Sequence, residues 1–216
     1  MPYRVSRLLA AALILLVPFA VDAQPPDTLA LGLAGGRFPP LTWEQMNAAQ
    51  RTMTQNVLNG KRTALSGPFN VLMRSPEMGD IAQKLGEYAR FSPAMPPKLR
   101  ELAIIVTARH WTAQYEWYAH RQAAAREGLR DDVIKQIANG ERPKNLDRDE
   151  QTVYDFATEL LETKTVSDAT FKRAHDLLGD QGVVDTIAVM GYYQMVSMLL
   201  NVDGYPLPSG VAPELK

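Results

Sequence analysis

An all-α domain built from about seven helices is the fold class this sequence predicts, and three observations predict it. Apolar residues recur at helical spacing in nearly every segment, as in Met46, Ala49, Met53 and Val57. Hydroxyl, amide or acidic capping residues stand at one end of most of these segments and Asn-Gly or Gly at the other. The β-branched clusters near the C-terminus lie in an apolar run too long for a strand, from about Gln181 to Asn201.

The elements follow in order. Arg4 and Arg7 precede an apolar run, Leu8 to Ala20, and Val21-Asp22-Ala23 offers small residues for signal peptidase, so 1–23 reads as a signal peptide. A retained membrane anchor is the alternative, although the run is short for a span. Residues 24–40, rich in Pro, Gly and small side chains, read as an extended arm. The domain proper spans 41–208. Thr42 with Gln45 is a candidate capping box for the first helix, which Asn59-Gly60 stops. A loop from 61 to 74 returns to the core through Phe69, Val71, Leu72 and Met73.

Ser75-Pro76-Glu77 opens a helix whose buried stripe is expected to be Ile81, Leu85 and Tyr88. Pro93, Pro96 and Pro97 end it and launch the central stretch, Leu99 to Gly128. A short helix, Asp131 to Ala138, follows. Asp147 and Glu150 cap another, with Val153, Phe156, Leu160 and Leu161 inward. Ser167 caps a helix expected to bury Phe171, Ala174 and Leu178 before Gly179. The last helix is apolar nearly all round, which calls for cover from its own domain or from another subunit.

Composition excludes several classes of function. The formal net charge of -1 gives no electrostatic reason to expect nucleic acid or an anionic membrane surface as a partner. With 0 cysteines, disulfide, zinc-thiolate and thiol redox chemistry are all ruled out.

The central stretch carries the candidate chemistry. At about 100° per residue, Glu116, His120, Ala124 and Trp117 share one arc of a helix, while Arg121, Gln122 and Arg126 point away. Glu101 sits upstream in an apolar helix with Leu102, Ala103, Ile104, Ile105 and Val106. A helix break near His110 to Thr112 lets the two helices pack, bringing two carboxylates and one imidazole into an aromatic-walled pocket of Trp111, Tyr115, Trp117 and Tyr118. An imidazole titrating near neutrality, beside a carboxyl raised by burial, suits proton transfer.

His120, Glu116 and Glu101 are the candidate catalytic residues; Tyr115, Trp111 and Arg109 are the candidate substrate contacts. Two other readings stand beside this one. Glu116 and His120 at i and i+4 also make a satisfied polar pair of a core, and both have the chemistry of metal ligands, although the sequence has no HExxH motif. Arg109 beside an acid also fits a solvated ion pair. No metal and no cofactor is expected.

At RELAIIVTARHWTAQYEWYAHRQAAAREGL, with DRDEQTVYDFATEL and LGDQGVVDTIAVMGYYQMVSMLLN downstream, the sequence resembles the carboxymuconolactone decarboxylase family, which includes the alkylhydroperoxidase D-like proteins. The likeness covers roughly residues 65 to 205. Its hydroperoxidase branch carries a glutamate, two cysteines and a histidine; aligned on the histidine, these fall on Glu101, Ala113, Glu116 and His120. With both cysteines absent, thiol peroxidase activity does not carry over. What the resemblance implies is an alkylhydroperoxidase D-like helical fold, homo-oligomers (trimer or hexamer), and a proton-transfer pocket like that of the decarboxylase branch.

The resulting expectation is a periplasmic or secreted, cofactor-free lyase-like enzyme doing decarboxylation, isomerisation or lactone processing on a small organic acid. Its partner is a small-molecule substrate, with no nucleic acid and no stable membrane association once the signal is cleaved. A non-catalytic oligomeric protein that binds a small ligand is the alternative.

Overall fold

A computed structural model describes residues 31–62 and 64–216, so the expected signal peptide, 1–23, and the first residues of the expected arm lie outside the described residues. Eight helices account for the secondary structure, with no strand among the described residues: α1 (Ala48–Leu58), α2 (Phe69–Leu72), α3 (Pro76–Phe91), α4 (Pro97–His110), α5 (Gln114–Arg126), α6 (Asp131–Ala138), α7 (Arg148–Thr163) and α8 (Asp168–Asp203).

The core is organised around α4. Leu99 and every residue from Glu101 to Ala108 are buried, because α5, α7 and α8 pack around α4 and α6 closes one end. A helix buried on all sides has no polar stripe, which is why its sequence reads as a continuous apolar run. A second cluster joins α1, α2 and α3 through Met53, Val57, Leu65, Phe69, Leu72 and Met73. Met195 of α8 touches both clusters.

α8 is two helices in one. Gly179 has φ 68 and ψ -179, so the chain turns there, at the boundary the sequence marked between its last two helices. Asp185, on the second half, accepts hydrogen bonds from the Tyr88 hydroxyl and the Ala94 amide at 3.0 and 2.6 Å, tying the end of α3 to α8. The described part of the arm is a strap. Asp203, fully buried, accepts from the Gly36 and Phe38 amides at 3.2 and 2.8 Å. The C-terminal residues also pack: Glu214 pairs with Arg121 at 2.7 Å and accepts from the Trp117 indole at 2.9 Å, and Leu215 is buried.

Three local expectations need correction. The first helix starts at Ala48, not Thr42, since the reciprocal capping box forms between Asn47 and Gln50, while the Thr42 amide and Gln45 make only a turn. On α3 the large apolar residues face outward, with Ile81 72% exposed and Leu85 and Tyr88 partly so. The buried face is the small one, Gly79, Ala82, Gly86 and Ala89. The reason is close approach: a Cβ on Gly86 would lie 2.2 Å from the Tyr192 hydroxyl, and one on Gly79 2.6 Å from the Leu72 carbonyl. Phe171 is likewise exposed, stacked on His175 at 5.7 Å.

Candidate functional site

The site rests on the hairpin of α4 and α5. Trp111 caps α4, Thr112 takes the left-handed conformation at φ 48, and the Ala113 amide returns to the Ala108 carbonyl at 2.9 Å. This cap reverses the chain in three residues, at the break the sequence implied, and lays α5 back along α4. Glu101, in the second turn of α4, and His120, in the middle of α5, thereby meet.

His120 lies between two carboxylates. Its Nδ1 is 2.6 Å from Glu101 Oε2 and its Nε2 is 3.0 Å from Glu116 Oε1. All three residues are only 3% exposed. Arg100 adds a cation 3.5 Å from the second Glu101 oxygen, and Tyr193 sets its ring edge-on to the imidazole with centroids 4.7 Å apart. The i, i+4 spacing on α5 supplies the Glu116 contact, and the α4–α5 packing supplies the Glu101 contact.

The electrostatics correct the expectation of a near-neutral imidazole and a raised carboxyl. Burial alone would lower the His120 pKa, but the charges of Glu116 and Glu101 and their hydrogen bonds outweigh it and push it up to about 9. Burial likewise would raise Glu101, and the facing His120 cation, helped by Arg100 and Arg90, holds it below its ordinary value. At neutral pH the imidazole is therefore a cation, donating from its ring nitrogens toward both carboxylates.

A cavity of about 130 Å³ opens onto this group, lined by Glu116 and His120 on one side and by Arg62, Arg90, Tyr192 and Tyr115 among others. Glu101 stands behind His120, away from the cavity lining. Tyr115, a sequence candidate, lines this cavity, its ring 4.3 Å from that of Tyr205, whereas Trp117 lines a different cleft. Arg109 and Trp111 are elsewhere. Arg109, eight residues beyond Glu101 in α4, lies on another face and lines a separate cleft with His110, Gly140, Tyr154 and Glu162. Trp111 sits at the hairpin turn, its carbonyl accepting from Asn201 at 2.8 Å.

Sequence reasoning did not single out Arg62, Arg90 or Tyr192 for the site. They come from the loop after α1, from α3 and from α8, so no local spacing connects them to His120. Both ring nitrogens of His120 face carboxylates, and among the described residues no group of three or more His, Asp or Glu is arranged to hold a metal ion.

Fold and site together define an all-helical protein whose central hairpin buries a carboxylate–imidazole–carboxylate triad against a small cavity. No protein-family model matches the chain, and no curated protein is significantly similar to it.

Proposed function

We propose that this protein is a carboxymuconolactone decarboxylase-like, cofactor-free acid/base catalyst acting on a small organic acid. The observation that carries the reading is the His120 imidazole bracketed by Glu101 and Glu116 at the wall of a cavity that His120 and Glu116 line and Glu101 does not. In this scheme His120 and Glu116 share the proton that is exchanged with the substrate, and Glu101 holds Nδ1 and balances the imidazolium charge. Because His120 stays protonated below about pH 9, the resting triad is a proton donor to the cavity. Tyr115 shapes the cavity wall.

A thermal-shift screen of aromatic-derived acids and lactones finds the ligand, since binding to the folded state alone raises its melting temperature. With a substrate in hand, His120→Gln abolishes turnover while helical circular dichroism stays intact. Unchanged turnover overturns the proposal. The second reading, a non-catalytic ligand-binding protein, draws on the engagement of both His120 nitrogens within the protein itself; under it, His120→Gln lowers stability or affinity and there is no reaction to lose.

We further propose an alkylhydroperoxidase D-like subunit arrangement, a homotrimer or hexamer, joined through the outer faces of α3 and α8. Ile81 and Leu85 on α3 and Val184, Ile187 and Met198 on α8 are exposed large apolar side chains, a concentration that supports burial against another copy. The N-terminal segment supports a periplasmic or secreted location, with no stable membrane association after its removal.

A further inference from the structure

We infer that the cavity is a carboxylate receptor in which Arg62 and Arg90 hold the carboxylate of the ligand as a spectator group, with the Tyr192 hydroxyl as a third contact. The inference rests on the proposed acid/base role of the triad and names the substrate class of that same site. Three observations converge on it.

First, the two guanidiniums line the cavity without a carboxylate partner among the described residues, whereas Arg121, Arg130 and Arg142 each pair with one. Arg62 Nε is buried and makes no hydrogen bond. Both side chains are fixed by aromatic rings instead: Arg62 lies 5.0 Å from the Phe69 ring centre and 5.8 Å from that of Phe91, and Arg90 lies 5.5 Å from Phe91. An Arg fork held over a ring and left without an anion is prepared for bidentate recognition of one.

Second, Tyr192 lines the same cavity, is 3% exposed, and its hydroxyl has no partner. An unpaired buried hydroxyl is costly, and a ligand oxygen would satisfy it. Burial, Glu116 and the two arginines together leave its pKa at about 12, so it donates. Third, the arginines stand in the cavity lining with Glu116 and His120, so one small molecule can touch cation and triad together. The volume of about 130 Å³ suits on the order of ten non-hydrogen atoms.

The consequence for chemistry is selective. A carboxylate paired with two guanidiniums is stabilised as the anion, which raises the barrier to its loss as carbon dioxide. The reacting centre is therefore another part of the ligand, presented to Glu116 and His120, and the step that fits is a proton shift: a C–H proton passes to Glu116 and a proton returns from His120 to a neighbouring atom, so that no atom leaves.

Isothermal titration of the full protein with benzoate and its neutral isostere benzamide tests this. Benzoate is expected to bind at least tenfold more tightly than benzamide. Arg62→Gln and Arg90→Gln each weaken benzoate at least tenfold without weakening benzamide, and Tyr192→Phe weakens it about threefold. Equal binding of the two probes to the unaltered protein overturns the inference, even if a variant fails to fold, as does undiminished benzoate binding in well-folded Arg62→Gln and Arg90→Gln. The two failures are distinguishable: benzoate against benzamide on the unaltered protein tests the receptor alone, whereas unchanged turnover in His120→Gln removes the acid/base role and leaves that discrimination standing.

Discussion

The imidazole of His120 is the residue on which the site depends, and its two neighbours set how it responds to pH. Its folded pKa is raised to about 9, above the unfolded value, so the triad contributes stability fully below about pH 6.5 and loses it as pH climbs through 9. Glu101 has the opposite sign: its lowered folded pKa gives stability above its ordinary value that disappears as pH falls through the depressed one. The melting temperature is therefore expected to be highest between about pH 4.5 and 6.5 and to drop on both sides. Glu101→Gln leaves the buried imidazole with one carboxylate and costs about 3 kcal/mol, measured by chemical denaturation at pH 7. In that variant the His120 pKa falls, moving the alkaline loss of stability to lower pH. Glu101, Glu116 and His120 were legible in the sequence because each is an ionisable group on an otherwise apolar helical face. Their protonation was not, since burial and opposite charge push a pKa in opposite directions and only the distances of 2.6 and 3.0 Å decide between them.

Single elements carry the geometry that brings these residues together. The caps that end α5, α6 and α8 place Gly128, Gly140 and Gly204 at positive φ, and the matching cap of α4 places Thr112 there. A β-branched residue in that conformation is strained. Thr112→Gly is therefore expected to stabilise the protein by about 1 kcal/mol without altering the triad, read from denaturant midpoints. The strap behaves oppositely: Asp203→Asn replaces one accepting oxygen with an amide that faces a backbone N–H, and is expected to cost about 2 kcal/mol. Helix identity and most boundaries were readable from capping residues and glycines, as at α6, α7 and the Gly179 turn. The inward face of α3 was not, because a stripe of Ile81, Leu85 and Tyr88 outweighs glycine and alanine in any hydrophobic pattern. It is the small residues that let Tyr192 and Met53 approach. Gly86→Ala intrudes on the Tyr192 ring, so it is expected to weaken ligand binding along with stability.

At the scale of the whole molecule, one cavity gathers groups from four separate parts of the chain: Arg62 after α1, Arg90 on α3, Glu116 and His120 on α5, and Tyr192 on α8. Such convergence has no sequence signature, which is why Arg109, near the triad in the chain, was the expected cation and Arg62 and Arg90 were not. The outer apolar faces of α3 and α8 belong to this scale too. Light scattering at micromolar concentration is expected to give a mass several times that of one 24.0 kDa chain, and Ile81→Glu with Val184→Glu to lower it. The central claim remains the charged imidazole between two acids, and ¹⁵N NMR titration of His120 tests it without knowledge of any substrate. Both ring nitrogens are expected to be protonated at pH 7, with an apparent pKa near 9. A neutral ring at pH 7, titrating at or below the ordinary value of about 6.5, contradicts it.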